Sequence, residues 1–406
     1  MRFLRGCITL IGLCAIAAIS LQAQDNARST ADGFENAKSK PRARDLGIPF
    51  DGTPGPLNAI TDVAGVTVGH TTLISGEGKL QVGKGPVRTG VTSVLPRGKD
   101  SMNNSVFAGW WSLNGNGEMT GTTWIEESGF LEGPVMITNT HSVGVVRDAV
   151  IQWRVSHGAA DASGYWWSLP VVAETWDGWL NDTNGFHVKP GDAFHAIDTA
   201  SSGPVQEGSV GGGTGMICNG FKGGIGTASR RFQIKGSGEY AVGVLVQCNY
   251  GTKDNLRIAG IPVGREIDAP IPYAQTRFEN EDRGSIIVVV ATDAPLVPTQ
   301  LKRLARRVSL GLGRDGSISG DGSGDIFIAF STANPGASAS DHVVDIKMLP
   351  NDMIEPIFAS TVFATEEAIV NAMIAADTMV GADNHKIIGL PHKQLQAILK
   401  KYNRLQ

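Results

Sequence analysis

The clearest change from polar to apolar residues lies in the second half of the chain. A polar run, Glu279–Arg283, stops at Gly284, and Ser285 then begins the apolar run Ile286–Ala291. Valine and isoleucine on both faces are typical of a strand that is buried on both sides. We therefore predict a buried strand that begins at Ser285, directly after a glycine.

Other stretches have the periods of strands and helices. Apolar, β-branched runs predict strands at Val91–Leu95, Val135–Thr138, Tyr240–Cys248 and Asp325–Phe330, and alternation predicts a strand pair over Asn58–His70 that turns at Gly65. Helical spacing predicts helices at Ser142–Val155, Thr299–Leu310, Thr365–Ala376 and His392–Tyr402. Residues 252–284 are polar and proline-rich, so a long exposed segment is expected there. The mixture of elements, without a repeat, indicates one large domain over 46–406.

Composition narrows the class of protein. The chain has 406 residues, is 41% hydrophobic and has a formal net charge of −4, so it can bury a large core. The near-neutral charge and the lack of a basic block argue against nucleic acid as a partner. No strand–turn–helix unit frames the glycine-rich stretch 208–226, which argues against a dinucleotide site. Close approach of the backbone to a ligand or another strand explains these glycines better.

The N-terminus has the pattern of a secretory signal. Arg2 and Arg5 precede the apolar run Ile8–Ile19, and Leu21–Ala23 fits a cleavage site. The apolar run is short for a membrane span. We expect a signal peptide at 1–23 and a flexible leader at 24–45. The mature protein would then be periplasmic or secreted, without a membrane anchor.

Two cysteines remain after signal removal, Cys218 and Cys248. The exported compartment permits a disulfide between them. The sequence does not show that they meet, so the default expectation is two small, buried hydrophobic side chains.

The Gly284–Ser285 pair has a candidate chemical role. Self-processing N-terminal nucleophile enzymes need a serine at the start of a buried strand, behind a glycine that tolerates unusual backbone angles. The serine hydroxyl attacks the preceding carbonyl, and the new α-amine, which titrates at about 7.7–8.0, serves as a base. The alternative is an ordinary loop end before a core strand.

Four further residues, at three places in the sequence, carry candidate chemistry, and each of the three places could instead be structural. Ser323 and Asp325 lie two residues apart before a strand, so they share one face; a polar turn explains them equally. Asn249 ends an apolar strand and has an amide donor for an oxyanion. Glu174 follows an apolar run and has a carboxylate for a substrate ammonium, or is a surface acid. The eight histidines show no metal-ligand spacing.

Taken together, the segments resemble a known family. The most specific are Gly284–Val289, Gly322–Asn334 and Val171–Thr175, supported by Thr138–Gly144 and Gln247–Gly251. They resemble the serine aminopeptidases that include the L-aminopeptidase/D-Ala-esterase/amidases and the β-peptidyl aminopeptidases. The resemblance covers nearly the whole mature chain, in the family's order.

The resemblance implies an α+β fold, a four-layer αββα sandwich like that of N-terminal nucleophile hydrolases with different strand connections. It also implies self-cleavage between Gly284 and Ser285, into chains 24–284 and 285–406 that stay together in a homo-oligomer of αβ units. Ser285 would be the nucleophile, Ser323 and Asp325 its activating pair, Asn249 the oxyanion donor and Glu174 the group that binds the substrate's amine. No metal and no organic cofactor is implied.

Two positions depart from the family pattern. Trp176 stands where members with D-Ala activity tend to have a tyrosine, and its indole donates only through N–H, which favours the β-aminopeptidase side. Asp325 stands where some members have glutamate.

The predicted function is an exported serine aminopeptidase. It would release α-L, D or β residues from the N-termini of short peptides, amides or esters through an acyl-enzyme. Either the α-amine of Ser285, or Ser323 relayed through Asp325, would act as the general base. The alternatives are a non-enzymatic exported binding protein of this fold and a related acetyltransferase acting on ornithine. The latter usually has a threonine nucleophile.

Overall fold

The computed structural model describes residues 40–157, 167–273, 276, 281–282 and 284–405. A compact unit begins at Arg42. The predicted signal peptide and the leader up to residue 39 lie outside the described residues.

The described residues contain fourteen strands and seven α-helices. The strands are β1 Thr67–Ser75, β2 Val87–Lys99, β3 Val106–Ser112, β4 Phe130–Leu131, β5 Val135–Asn139, β6 Val171–Thr175, β7 Ile217–Cys218, β8 Phe221–Lys222, β9 Gly224–Ile234, β10 Gly238–Asn249, β11 Ser285–Thr292, β12 Gly324–Ser331, β13 Met379–Val380 and β14 Lys386–Ile387. The helices are α1 Thr122–Ser128, α2 Val143–His157, α3 Pro190–Asp198, α4 Val263–Glu266, α5 Pro298–Arg314, α6 Glu355–Ile374 and α7 His392–Lys401.

Two large sheets form the centre of the fold. The smaller has four strands in the order β1-β2-β5-β6, and the larger has six in the order β4-β3-β12-β11-β10-β9. Strand β11, predicted from its apolar run, is antiparallel to β10 and parallel to β12. Its first residue, Ser285, pairs with Asn249 on one side and with Gly324 on the other.

Alternate residues of β11 face two different cores, as the period of a strand requires. One set packs against the helices α5 and α6 and consists of Ile286, Val288 and Val290. The other set packs against the four-stranded sheet and consists of Ile287, Val289 and Ala291. The opposite face of that sheet packs against α2 and α3. The layers are therefore helix, sheet, sheet and helix, and the predicted αββα fold class is confirmed.

The segment Asn58–His70, predicted as a strand pair, differs in the structure. Residues Ile60–Asp62 form a 3-10 turn, and the strand β1 follows. The Asp62 carboxylate accepts hydrogen bonds from the Leu57 and Ala59 N–H groups at 3.0 and 3.1 Å. This side-chain capping stabilises a turn where the alternating pattern suggested a strand.

The segment 252–284 was predicted to be long and exposed, and this is wrong for much of it. The segment contains α4 and contributes buried side chains to the core, namely Leu256, Ile258, Val263 and Ile267. The apolar residues are too widely spaced to show a period, but the turns between them bring them to one side.

The end of the predicted leader, Arg42–Asp45, is also ordered. Ala43 is fully buried, and Arg42 forms an ion pair with Glu207 at 2.7 Å. The leader prediction therefore extends too far, because these residues are fixed by contacts distant in sequence.

Helix α6 is long and apolar enough to cross a membrane, and it is the one such helix among the described residues. Because 78% of its apolar window is buried within the fold, it is a core helix.

Helix α6 also carries a buried ion cluster. The carboxylate of Glu367 pairs with Arg230 at 2.7 Å and with Arg44 at 2.8 Å, and accepts a hydrogen bond from the Asn58 amide at 2.6 Å. The side chains of Arg230 and Glu367 are 1% and 0% exposed. Ionic contacts therefore join segments that precede Ser285 to a helix that follows it.

We expect Glu367→Ala to destabilise the protein by about 3–5 kcal/mol, because Arg230 would keep a buried charge without its partner. Urea unfolding followed by tryptophan fluorescence measures this loss. The control is Glu127→Ala on the exposed face of α1, which should change stability by less than about 0.5 kcal/mol. A loss in Glu367→Ala as small as that of the control would contradict the structural role of the cluster.

Candidate active site

A cavity of about 420 Å³ lies at the beginning of β11. It is lined by Asn116, Thr140, Glu174, Trp176, Trp179, Tyr273, Ser285 and Gly322. The structure thus brings Ser285 together with two predicted site residues that are distant from it in sequence, namely Glu174 and Trp176. Its walls combine aromatic rings with a few polar groups, which is typical of small-molecule sites.

Ser285 is 5% exposed and opens onto this cavity. Its Oγ accepts a hydrogen bond from the Gly324 N–H at 3.1 Å, and the same N–H lies 3.3 Å from the carbonyl oxygen of Gly284. A Cβ at position 284 would lie 1.7 Å from the Asn249 carbonyl oxygen. Only glycine therefore fits before Ser285. The hydroxyl and the preceding carbonyl oxygen share one backbone donor.

Ser323 and Asp325 form the pair that their spacing predicts. The Ser323 hydroxyl donates to Asp325 Oδ1 at 2.7 Å, and the Ser319 hydroxyl donates to Oδ2 at 2.9 Å. Burial raises the pKa of Asp325, while the Ser323 and Ser319 hydrogen bonds lower it. Among the described residues, no hydrogen bond joins Ser285 Oγ directly to the Ser323 hydroxyl. Ser285 Oγ instead contacts the backbone N–H of Gly324, the residue between Ser323 and Asp325.

Asn249 lies opposite Ser285 but lines a neighbouring cavity of about 430 Å³. Its Oδ1 accepts from the Ile217 N–H at 2.7 Å, and its Nδ2 donates to the Trp176 carbonyl at 2.9 Å. A primary amide has two N–H donors, so one remains for another acceptor. The orientation of the amide is fixed by these two backbone groups.

The two cysteines left open by the sequence form a disulfide, with Cα atoms 5.4 Å apart. Cys218 follows Ile217, and Cys248 precedes Asn249. The bond therefore joins β7 to β10 beside the contact that orients the Asn249 amide.

Glu174 is 4% exposed and faces the cavity. Its Oε1 accepts from the Glu118 N–H at 3.0 Å, and its Oε2 accepts from the Thr140 hydroxyl. Burial raises the pKa of Glu174; these two hydrogen bonds lower it, and the carboxylates of Glu118 and Asp177 raise it. Within the described ranges, no basic side chain pairs with Glu174. A ligand cation would supply the charge that this buried carboxylate lacks.

Aromatic residues form the apolar wall. Trp179 stacks on His385 with ring centres 3.7 Å apart, and it packs against Tyr273 in a T-shaped arrangement with ring centres 4.8 Å apart. Trp176 is 39% exposed at the rim. Residues close to the C-terminus thus fix the position of a ring in the cavity.

The sequence analysis missed several contributors, namely Thr140, Trp179, Tyr273, Ser319 and Asn114, whose Oδ1 accepts from the Asp325 N–H at 2.6 Å. Thr140 lies in the supporting motif Thr138–Gly144, which was a usable signal. Tyr273 lies in the segment predicted to be exposed, so no local pattern marked it. The described residues contain no group of three or more His, Cys, Asp or Glu side chains that could hold a metal ion.

Comparisons with known proteins identify the family of this chain. The chain matches peptidase family S58 over residues 58–387. It is 58% identical over 375 residues to the beta-peptidyl aminopeptidase BapA of Sphingosinicella microcystinivorans, a match that covers 90% of this chain and 93% of that protein.

Solved structures give the same result. The L-aminopeptidase D-Ala-esterase/amidase from Ochrobactrum anthropi, a prototype serine aminopeptidase with a variant of the N-terminal nucleophile hydrolase fold, superposes with a TM-score of 0.85. It is 49% identical, with 90% of this chain and 100% of that chain covered. A Burkholderia sp. beta-aminopeptidase superposes with a TM-score of 0.81 at 46% identity, with 89% and 99% covered.

The family match extends over most of the chain, and its relatives share both sequence and fold. The chain therefore belongs to peptidase family S58 and is a serine-type aminopeptidase.

Proposed function

We propose that the protein is exported, cleaves itself between Gly284 and Ser285, and then releases N-terminal residues from short peptides, amides or esters. The observation that carries this proposal is the shared donor at Gly324, which contacts both Ser285 Oγ and the Gly284 carbonyl oxygen. Because two relatives are named beta-peptidyl aminopeptidases, we propose a β-amino acid as the preferred N-terminal residue of the substrate.

In the self-cleavage step, Ser285 Oγ attacks the Gly284 carbonyl carbon. The bond from that carbon to the Ser285 nitrogen breaks, the nitrogen takes up the proton that the hydroxyl loses and becomes a free α-amine, and an ester forms. The Gly324 N–H donates to the oxygen on which negative charge develops. Water then hydrolyses the ester and leaves one chain that ends at Gly284 and another that begins at Ser285.

In turnover, the substrate ammonium pairs with Glu174, and its first carbonyl lies against Ser285. The α-amine of Ser285 takes the hydroxyl proton as Oγ attacks, and the Ser323–Asp325 pair orients the nucleophile. The free N–H of the Asn249 amide donates to the oxyanion. The leaving amine takes the proton, and water hydrolyses the acyl-enzyme. The charge requirement at Glu174 explains a preference for an unblocked N-terminus.

Two further properties belong to the proposal. The disulfide between Cys218 and Cys248 supports export to the periplasm or beyond, since such bonds persist in oxidising compartments. The two chains remain associated through the ion cluster at Glu367 and form a homo-oligomer, which light scattering on the purified protein tests.

Ser285→Ala is expected to remain a single chain and to lose at least about 10⁴-fold in turnover, because both steps need the same hydroxyl. Intact mass under denaturing conditions should show two chains for the wild type, the second beginning at Ser285. The control is Ser237→Ala in the exposed hairpin between β9 and β10, which should split and turn over normally. A Ser285→Ala protein that still splits would contradict the assignment of Ser285 as the nucleophile.

Thr140→Val should shift the Glu174 step in the acidic limb of kcat/KM to higher pH. The Thr140 hydroxyl lowers the pKa of Glu174, so its removal raises that pKa further. Ammonium binding needs the ionised carboxylate, and activity is therefore lost as the pH falls through the pKa of Glu174. The measurement is kcat/KM against pH with an unblocked β-amino acid amide.

Two control variants complete that experiment. Glu174→Gln should lower kcat/KM about 10- to 100-fold and remove the Glu174 step of the acidic limb, while the step at which the Ser285 α-amine is protonated remains. Thr123→Val on exposed α1 should leave the limb in place. An unmoved limb in Thr140→Val would contradict the assigned contact between Glu174 and the substrate.

A further inference from the structure

We infer that Asp282 is a positioning residue for self-cleavage and has no part in turnover, an inference that rests on the proposed self-cleavage. Asp282 lies three residues before Ser285 and is half-buried. Its Oδ1 accepts a hydrogen bond from the Gly251 N–H at 2.8 Å, and its Oδ2 accepts a weaker one from the Gly320 N–H at 3.4 Å.

The two backbone partners belong to the segments that carry the other site residues. Gly251 follows Asn249 at the end of β10, and Gly320 precedes Ser323 in the loop before β12. A Cβ at position 320 would lie 2.7 Å from the Cβ of Asp282, so the loop and the acidic residue are in close contact. One carboxylate therefore ties the upstream peptide to both neighbours of β11.

This tie has a consequence for the bond that breaks. Downstream of the junction, sheet pairing fixes Ser285 between Asn249 and Gly324. Upstream, Asp282 fixes the chain at its two hydrogen bonds. The Gly284 carbonyl lies between these two anchors, and its oxygen stays within reach of the Gly324 N–H. Holding the reacting atoms in this way contributes directly to the rate of attack.

After cleavage the situation of Asp282 changes. It becomes the third residue from the new C-terminus and is no longer joined covalently to β11. Substrate hydrolysis uses Ser285, Glu174, Asn249 and the Ser323–Asp325 pair, and none of these hydrogen-bonds to the Asp282 side chain in the described part of the chain. Asp282 acts on this set through its charge: burial raises the pKa of Asp325 and the charge of Asp282 raises it further, so its removal favours the ionised form of Asp325. Loss of the carboxylate should therefore slow maturation and spare turnover.

The test is cell-free synthesis of the full chain, with intact mass measured over time. We expect Asp282→Ala to split at least 10-fold more slowly than wild type. Asp282→Asn should be intermediate, because its amide oxygen still accepts one hydrogen bond. The control is Asp321→Asn, which removes an exposed carboxylate next to Gly320 in the loop before β12. This carboxylate makes no hydrogen bond among the described residues, so the variant should split at the wild-type rate.

The second measurement is kcat and KM of the fraction that has matured, which should lie within twofold of wild type for both Asp282 variants. Splitting of Asp282→Ala at the wild-type rate overturns the inference. Slow splitting with an equally reduced kcat also overturns it, since that result assigns Asp282 to the general stability of the fold. A wild-type chain that never splits would contradict the proposed self-cleavage, and with it the role assigned to Asp282.

Discussion

The pairing of β11 with its two neighbours is the constraint on which the site depends. Ser285 lies opposite Asn249 in β10 and beside Gly324 in β12. Because side chains alternate along a strand, a slip of one residue would turn the Ser285 hydroxyl towards the helix layer. Both faces of β11 are apolar, so the register depends on the fit of individual side chains to two different cores and not on polarity. The close packing that stabilises the sandwich therefore also orients the hydroxyl.

This pairing explains why glycine occupies both positions beside the hydroxyl. At Gly284 a Cβ would lie 1.7 Å from the Asn249 carbonyl oxygen, and at Gly324 it would lie 2.3 Å from the Asn116 carbonyl oxygen. Neither site has room for a side chain, because backbone approaches backbone there. The close approach lets one N–H contact both the hydroxyl and the carbonyl of the preceding residue. The glycines at positions 284 and 324 and the contacts of the Ser285 hydroxyl thus have one physical cause, which is the close approach of the backbone segments.

Local periodicity in the sequence was enough to predict part of the fold. Strand β11, the common face of Ser323 and Asp325, and helices α2, α5 and α7 depend on residues near one another in the chain. The contacts of Glu174 with Thr140, and of Asp282 with Gly251, join residues distant in sequence, so no period records them. The turn at Ile60–Asp62 shows the opposite failure, since its alternation suggested a strand while the Asp62 side chain stabilised a turn. The family resemblance supplied the fold that periodicity alone did not.

Two buried glutamates differ in whether a positively charged side chain pairs with them. Glu367 is fully buried between two arginines, so its charge is balanced within the chain. Glu174 is nearly as buried, yet its hydrogen-bond donors are a hydroxyl and a backbone N–H, and burial raises its pKa. Two neutral donors compensate a buried carboxylate less well than a cation does. The uncompensated negative charge of Glu174 faces a cavity that Ser285 also lines, so a positively charged ligand group beside Glu174 would supply the missing cation.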